Sequence, residues 1–160
     1  MVVVNPLKAA SQLEGVLAHR PELLAKYRVF YQSLWTDGLV PGRVLELCRR
    51  RIAYIHDCAA ELLITDPKIL LSAEDEQALA HAEFGRFDAQ DQAALALAEL
   101  MPFGVHQIDD LAVAEVAAQL GHPGCVSLLT ALSFFDVNCR LKIVMGIEPQ
   151  VGELGQAHLV

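Results

Sequence analysis

The sequence predicts an all-α fold, a bundle of about seven helices in a single domain over residues 1–160. Three observations predict it. No stretch alternates apolar and polar residues with the period of two that a half-buried strand requires. Ala and Leu are abundant while aromatic residues make up only 6% of the chain, a balance that favours helix packing over sheet. Apolar positions also recur at helical spacing between strong breakers. The 54% hydrophobic content is enough for a well-filled core at this length and argues against disorder.

The elements follow in order. Pro21 suits the first turn of a helix running from Glu22 to about Trp35, because that position has no use for its missing N–H. Leu23, Leu24, Tyr27, Phe30, Tyr31 and Leu34 form the apolar face of this helix. Asp37-Gly38 ends it, and Pro41-Gly42 opens the next, from Arg43 to about Ile55. Asp57 is placed to cap a short helix beginning at Cys58, which Asp66-Pro67 interrupts because the residue before proline is pushed out of the α region. Ser72, followed by Glu74 and Asp75, starts a helix to about Phe84. Asp88 precedes an Ala/Leu-rich helix from Ala89 to Met101, and Asp109-Asp110 begins another to Leu120. Gly121-His122-Pro123-Gly124 is a breaker, and a last helix runs from Cys125 to about Met145, ending at Gly146.

Composition narrows the partners. The net charge of −8 repels a phosphate backbone, and the one basic run, Arg49-Arg50-Arg51, is too short for a nucleic-acid arm, so no nucleic acid is expected. The N-terminus from Met1 to Pro6 lacks the features of a secretory signal. The longest apolar stretch, Cys125 to Phe135, falls short of a membrane span. Four cysteines occur without a C-x-x-C, so a reduced, cytoplasmic chain is expected, with no membrane partner. The six histidines are scattered and no phosphate loop is present, which leaves neither a metal nor a cofactor expected.

Chemistry is concentrated between residues 46 and 65. A cysteine at a helix start sits near unsatisfied N–H groups that favour the thiolate, the nucleophilic form. Cys58 is therefore the candidate reactive thiol, whereas Cys48, Cys125 and Cys139 lie in apolar helical patterns and read as core. Glu46 precedes Cys58 by 12 positions, about 18 Å on a straight helix, so the two meet only if the chain turns at His56-Asp57. Taken alone, Glu46 reads as a solvated partner for Arg49 or Arg50, three and four residues on.

The segment resembles the alkylhydroperoxidase D/carboxymuconolactone decarboxylase family. Its peroxidase branch carries Glu-(x)11-Cys-x-x-Cys-(x)3-His, and Glu46 and Cys58 fall on the first two of those positions. The second Cys position holds Glu61, as the decarboxylase branch often does, and the His position holds Thr65. Arg51 falls where the family often has an arginine, and the stretch from Phe134 to Pro149 is similar to its C-terminal signature. The resemblance implies an alkylhydroperoxidase D-like bundle that assembles as trimers or their multiples. A mean hydropathy of +0.35 agrees with an assembling homo-oligomer.

It also implies a thiol peroxidase that reduces hydroperoxides through Cys58 alone, with Glu46 or His56 accepting the proton and an external thiol restoring the cysteine. One alternative is a lyase acting on a small organic acid, with Glu46 and Glu61 as acid and base and Arg51 holding a substrate carboxylate. The other is a non-catalytic member kept for binding or assembly. Glu61 beside the sulfur is expected to hinder thiolate formation.

Overall fold

The computed structural model describes residues 4, 6–7, 11–66 and 68–149. Among these there is no strand, and the chain is an all-α bundle of seven helices. They are α1 (Gln12–Leu17), α2 (Pro21–Thr36), α3 (Gly42–Ile55), α4 (Ala59–Leu62), α5 (Ala73–His81), α6 (Ala89–Leu100) and α7 (Asp110–Val144). Single 3-10 turns at Phe84–Arg86 and Val105–Gln107 join the later elements. The readings that touch Pro67 and the N-terminal Met1–Val3 and Asn5 lie outside the described residues.

The start signals act as their chemistry predicts. Pro21 occupies the first turn of α2. Ser72 and Asp75 close a reciprocal capping box on α5, and Asp88 and Asp109 accept backbone N–H groups at the starts of α6 and α7. α3 lies at the centre, packed against α5, α6 and α7, with Leu45, Leu47, Cys48, Ile52 and Ala53 almost fully enclosed.

Three boundaries differ from the sequence reading. α1 is an additional helix, capped by the Ser11 side chain. α5 stops at His81 rather than near Phe84, because Ala82 turns left-handed at φ 58° and the chain re-enters as a 3-10 turn. The cap position of α4 is Cys58 itself, since Asp57 at φ 51° closes the end of α3, where the Cys58 N–H bonds the Ala53 carbonyl. The breaker at 121–124 interrupts α7 as the sequence predicts, dividing it into two helical stretches across a kink. Gly121 at φ 70°, ψ 169° takes a conformation that L side chains avoid, and Pro123 sits in the first turn beyond it. Gly124 allows the close approach there, because a Cβ would lie 2.9 Å from the Leu39 carbonyl oxygen.

α7 also extends the apolar stretch read from sequence. An 18-residue window in it reaches a mean hydropathy of 1.2, long and apolar enough to cross a membrane by composition alone. In the bundle 33% of that window is buried, and Leu128, Ala131, Leu132, Phe135 and Cys139 of α7 join the core against α3 and α6.

Candidate functional site

Three consecutive arginines on α3 cannot share one solvent face, because successive helical residues turn by about 100°. Arg49 enters the core with 0% exposure. Its guanidinium grips Glu46 with two bonds of 2.8 and 2.7 Å and reaches Glu61 Oε1 at 2.6 Å. It also donates to the backbone carbonyls of Glu61 and Ile64. Lys142 of α7 donates to the second Glu61 oxygen. Two carboxylates and two cations are thus neutralised against one another, none of them more than 6% exposed. Burial raises the Glu61 pKa, but Lys142 and then Arg49 outweigh it and hold that carboxyl at about 2.

Cys58 lies at the edge of this cluster, 3% exposed. Its thiol faces that of Cys139 on α7. The contact with Cys139 is the main influence holding Cys58 below the ordinary thiol range, aided by the Glu61 N–H and the Lys142 charge. Burial and the Glu61 carboxylate oppose it. Cys139 is pushed in the opposite direction, first by the same contact and then by burial. The expected obstruction by Glu61 is real in sign but is outweighed. The helix-terminus argument carries less weight than the spacing suggested, since α4 has only four residues and its dipole is correspondingly small.

The other candidate residues disperse. Glu46 pairs with Arg49 and Arg50 at the spacing the sequence suggests, but the pairing is enclosed rather than solvated. Glu46 therefore meets the Cys58 segment through Arg49 and Glu61. Its two oxygens are occupied by the Arg49 guanidinium, which does not suit it to accept the thiol proton directly. His56 binds Asp136 at 2.6 Å, and its ring stands edge-on to Phe103. Arg51 is held by Glu99 at 3.0 Å and by the Leu79 carbonyl at 2.7 Å, so its donors are taken rather than offered to a substrate carboxylate. Thr65 is exposed beyond the end of α4.

Sequence reasoning missed Arg49, Cys139 and Lys142. A signal existed for two of them. A run of three arginines on a helix with a broad apolar face must send one inward, and Lys142 stands among Leu141, Ile143 and Val144, three residues after a cysteine. Two tyrosines border the cluster. Tyr27 bonds Asn138 at 3.2 Å, and both Tyr27 and Tyr31 are raised by burial first and by the Glu61 charge second. An open groove of about 560 Å³ runs between α2 and α7, lined by Phe30, Asp37, His122 and Thr130 among others, and includes none of the cluster residues. Comparison with protein-family models, with curated proteins and with solved structures finds no match to this chain.

Proposed function

We propose that this chain is an alkylhydroperoxidase D-like protein that reduces small hydroperoxides through Cys58. The observation that carries the reading is the Cys58 thiol held against a second thiol, with the Lys142 ammonium and the Glu61 N–H beside it. Such surroundings stabilise negative charge on sulfur, and thiolate is the form that attacks an O–O bond. In the step, the sulfur takes the terminal peroxide oxygen and the O–O bond breaks. The thiol proton ends on the departing alkoxide, leaving a sulfenic acid and an alcohol. With only 3% of its surface exposed, Cys58 suits a small oxidant better than a bulky one.

The lyase alternative fits less well, because a general acid needs a raised carboxyl pKa and the ion pairs hold Glu61 low. A peroxidase assay with hydrogen peroxide and a small dithiol reductant tests the proposal. Turnover is expected in the wild type and in Cys125→Ser, and in Cys58→Ser only the uncatalysed rate. Equal, background turnover in wild type and Cys58→Ser would replace this reading with a non-catalytic scaffold.

The reading places the protein in a reducing cytoplasm, where thiols are returned to the reduced state. It also includes self-association, supported by the exposed Phe103, Leu111 and Val126. Light scattering at micromolar concentration is expected to give the mass of a trimer or its multiple; a monomer mass would remove that part.

A further inference from the structure

The second stretch of α7 leaves more apolar surface outside the bundle than a solvated face needs. From Cys125 to Val144 the charged residues are Asp136, Arg140 and Lys142, and Lys142 turns inward onto Glu61. Ser133, Val137, Arg140 and Val144 follow at spacings of four, three and four, so they share one helical face, and all four are exposed. The Ser133 hydroxyl is spent on the Leu129 carbonyl at 2.9 Å, so it brings no unpaired donor to that face. Beside it stands Phe103, 72% exposed yet held in place. The His56 ring meets it edge-on at 5.1 Å, and the Arg140 guanidinium lies 5.4 Å from its centroid. Arg140 also donates to the Pro102 carbonyl at 2.8 Å. An exposed aromatic already fixed in position loses little freedom on association, which is the character of an interface anchor.

The charges say what covers this face. Asp136 and Arg140 lie four positions apart, about 6 Å along the helix. A two-fold axis crossing α7 halfway between them sets each Asp136 against the other copy's Arg140, so the face complements itself. Both groups keep capacity for that second bond. The Asp136 oxygens are met by His56 and by Arg140 Nε, one each, and Arg140 uses Nε and Nη2 within the chain. Two copies at a net charge of −8 repel over most of their surface, whereas here one acid balances one base. The same net charge opposes an anionic membrane surface, to which the face offers a single arginine.

We propose that this face is a two-fold interface between two copies of the chain, with the axis at the level of Asn138 on α7 and Phe103 of both copies beside it. The inference rests on the self-association in the reading above, and not on the thiol chemistry; it assigns the face and requires an even number of copies. Ser133 to Val144 spans about 17 Å of a helix about 10 Å wide, roughly 170 Å². Even with the Phe103 turn, the contact falls short of the roughly 800 Å² per partner of a standard interface. By itself it therefore gives a dimer that dissociates on dilution, and combined with a three-fold contact it gives a hexamer.

The test is cross-linking of full-length Val137→Cys, whose new thiol lies within a turn of the axis, under mild oxidation. A covalent dimer is expected on a non-reducing gel, and none from Val126→Cys, about 16 Å further along α7. Linkage of Val126→Cys alone, of neither variant, or of both equally would overturn the proposal. In sedimentation velocity of the unlinked protein, Phe103→Ala is expected to raise the dimer dissociation constant on the order of tenfold. An unchanged constant would put the contact on another face and overturn it, as would co-sedimentation with phosphatidylserine vesicles in place of linkage. The wild-type dilution series needs no variant to fold, and a mass that stays monomeric at every concentration removes this proposal and the trimer together. A dimer mass with the Val137→Cys link keeps the interface and removes the trimer. A hexamer mass with the link keeps both, and a trimer mass without it keeps only the trimer.

Discussion

Arg49→Met is expected to be the most damaging single substitution in the bundle. The side chain would still fill much of the volume, but Glu46 and Glu61 would lose their shared guanidinium inside an enclosure that water barely enters. The Glu61 and Ile64 carbonyls would each lose a donor as well. Breaking a buried pair by removing one partner typically costs about 3–5 kcal/mol, because it leaves an uncompensated buried charge. Against a total stability of about 5–15 kcal/mol for a domain, that is a large fraction. Urea denaturation followed by circular dichroism measures it; a loss below about 1 kcal/mol would show that the cluster is not the electrostatic core described here. The double variant Glu46→Gln with Arg49→Met leaves Glu61 with Lys142 and removes one orphaned carboxylate. It is expected to lose less than the sum of the two single changes, by an interaction energy of about 1–3 kcal/mol.

Acid is expected to unfold the protein through the same cluster. Glu61 has a folded-state pKa of about 2 against an ordinary 4.5, so it binds a proton more readily when unfolded. A depressed carboxyl contributes stability that is fully present above about pH 4.5 and is lost as pH falls toward about 2. At about 1.4 kcal/mol per pKa unit the contribution is on the order of 3 kcal/mol, an upper figure because the partners relax. Urea midpoints measured from about pH 6 to about pH 2.5 should fall steeply in that window. Lys142→Met removes the largest cationic influence on Glu61, so its carboxyl pKa should rise and the acid transition should move to higher pH. An unchanged acid midpoint in Lys142→Met would mean that Lys142 does not hold Glu61 ionised.

Both predictions turn on residues whose role the sequence shows only faintly. Glu46 and Arg49 are three apart on a helix, so their pairing was legible from spacing alone. Their burial was not, since the same spacing occurs on solvated helix faces, where it is worth a few tenths of a kcal/mol. Glu61 was legible as the residue standing where a second cysteine would be, and as a negative charge near Cys58. What neutralises that charge is Arg49, 12 residues away on α3, and Lys142, 81 residues away on α7, the latter beyond the reach of any local pattern. Cys139 was read as core because a cysteine among Phe, Leu and Val usually is, and it is indeed fully enclosed. Its being core and its facing a second thiol are compatible, and only packing shows the second.

Boundaries divide in the same manner. Pro21, Ser72, Asp88 and Asp109 act on backbone groups within a few residues, so helix starts could be placed from sequence. The left-handed turns at Asp57 and Ala82 were not legible, because neither is glycine, the residue that usually closes a helix this way; each follows a helix end where the next N–H bonds back five residues, Cys58 to the Ala53 carbonyl and Glu83 to the Ala78 carbonyl.

By itself, then, the sequence determined the helical class, the starts and breaks of most helices, and Cys58 as the thiol to examine. These depend on composition, periodicity and capping, which act over a turn or two. Only the tertiary structure decided that Arg49 and Lys142 neutralise Glu61, that His56 and Arg51 are bound to Asp136 and Glu99, and that Cys139 faces Cys58. Each of those pairings joins residues separated by at least 12 positions, so each depends on which helices pack together and in what register, and the folded bundle alone sets that.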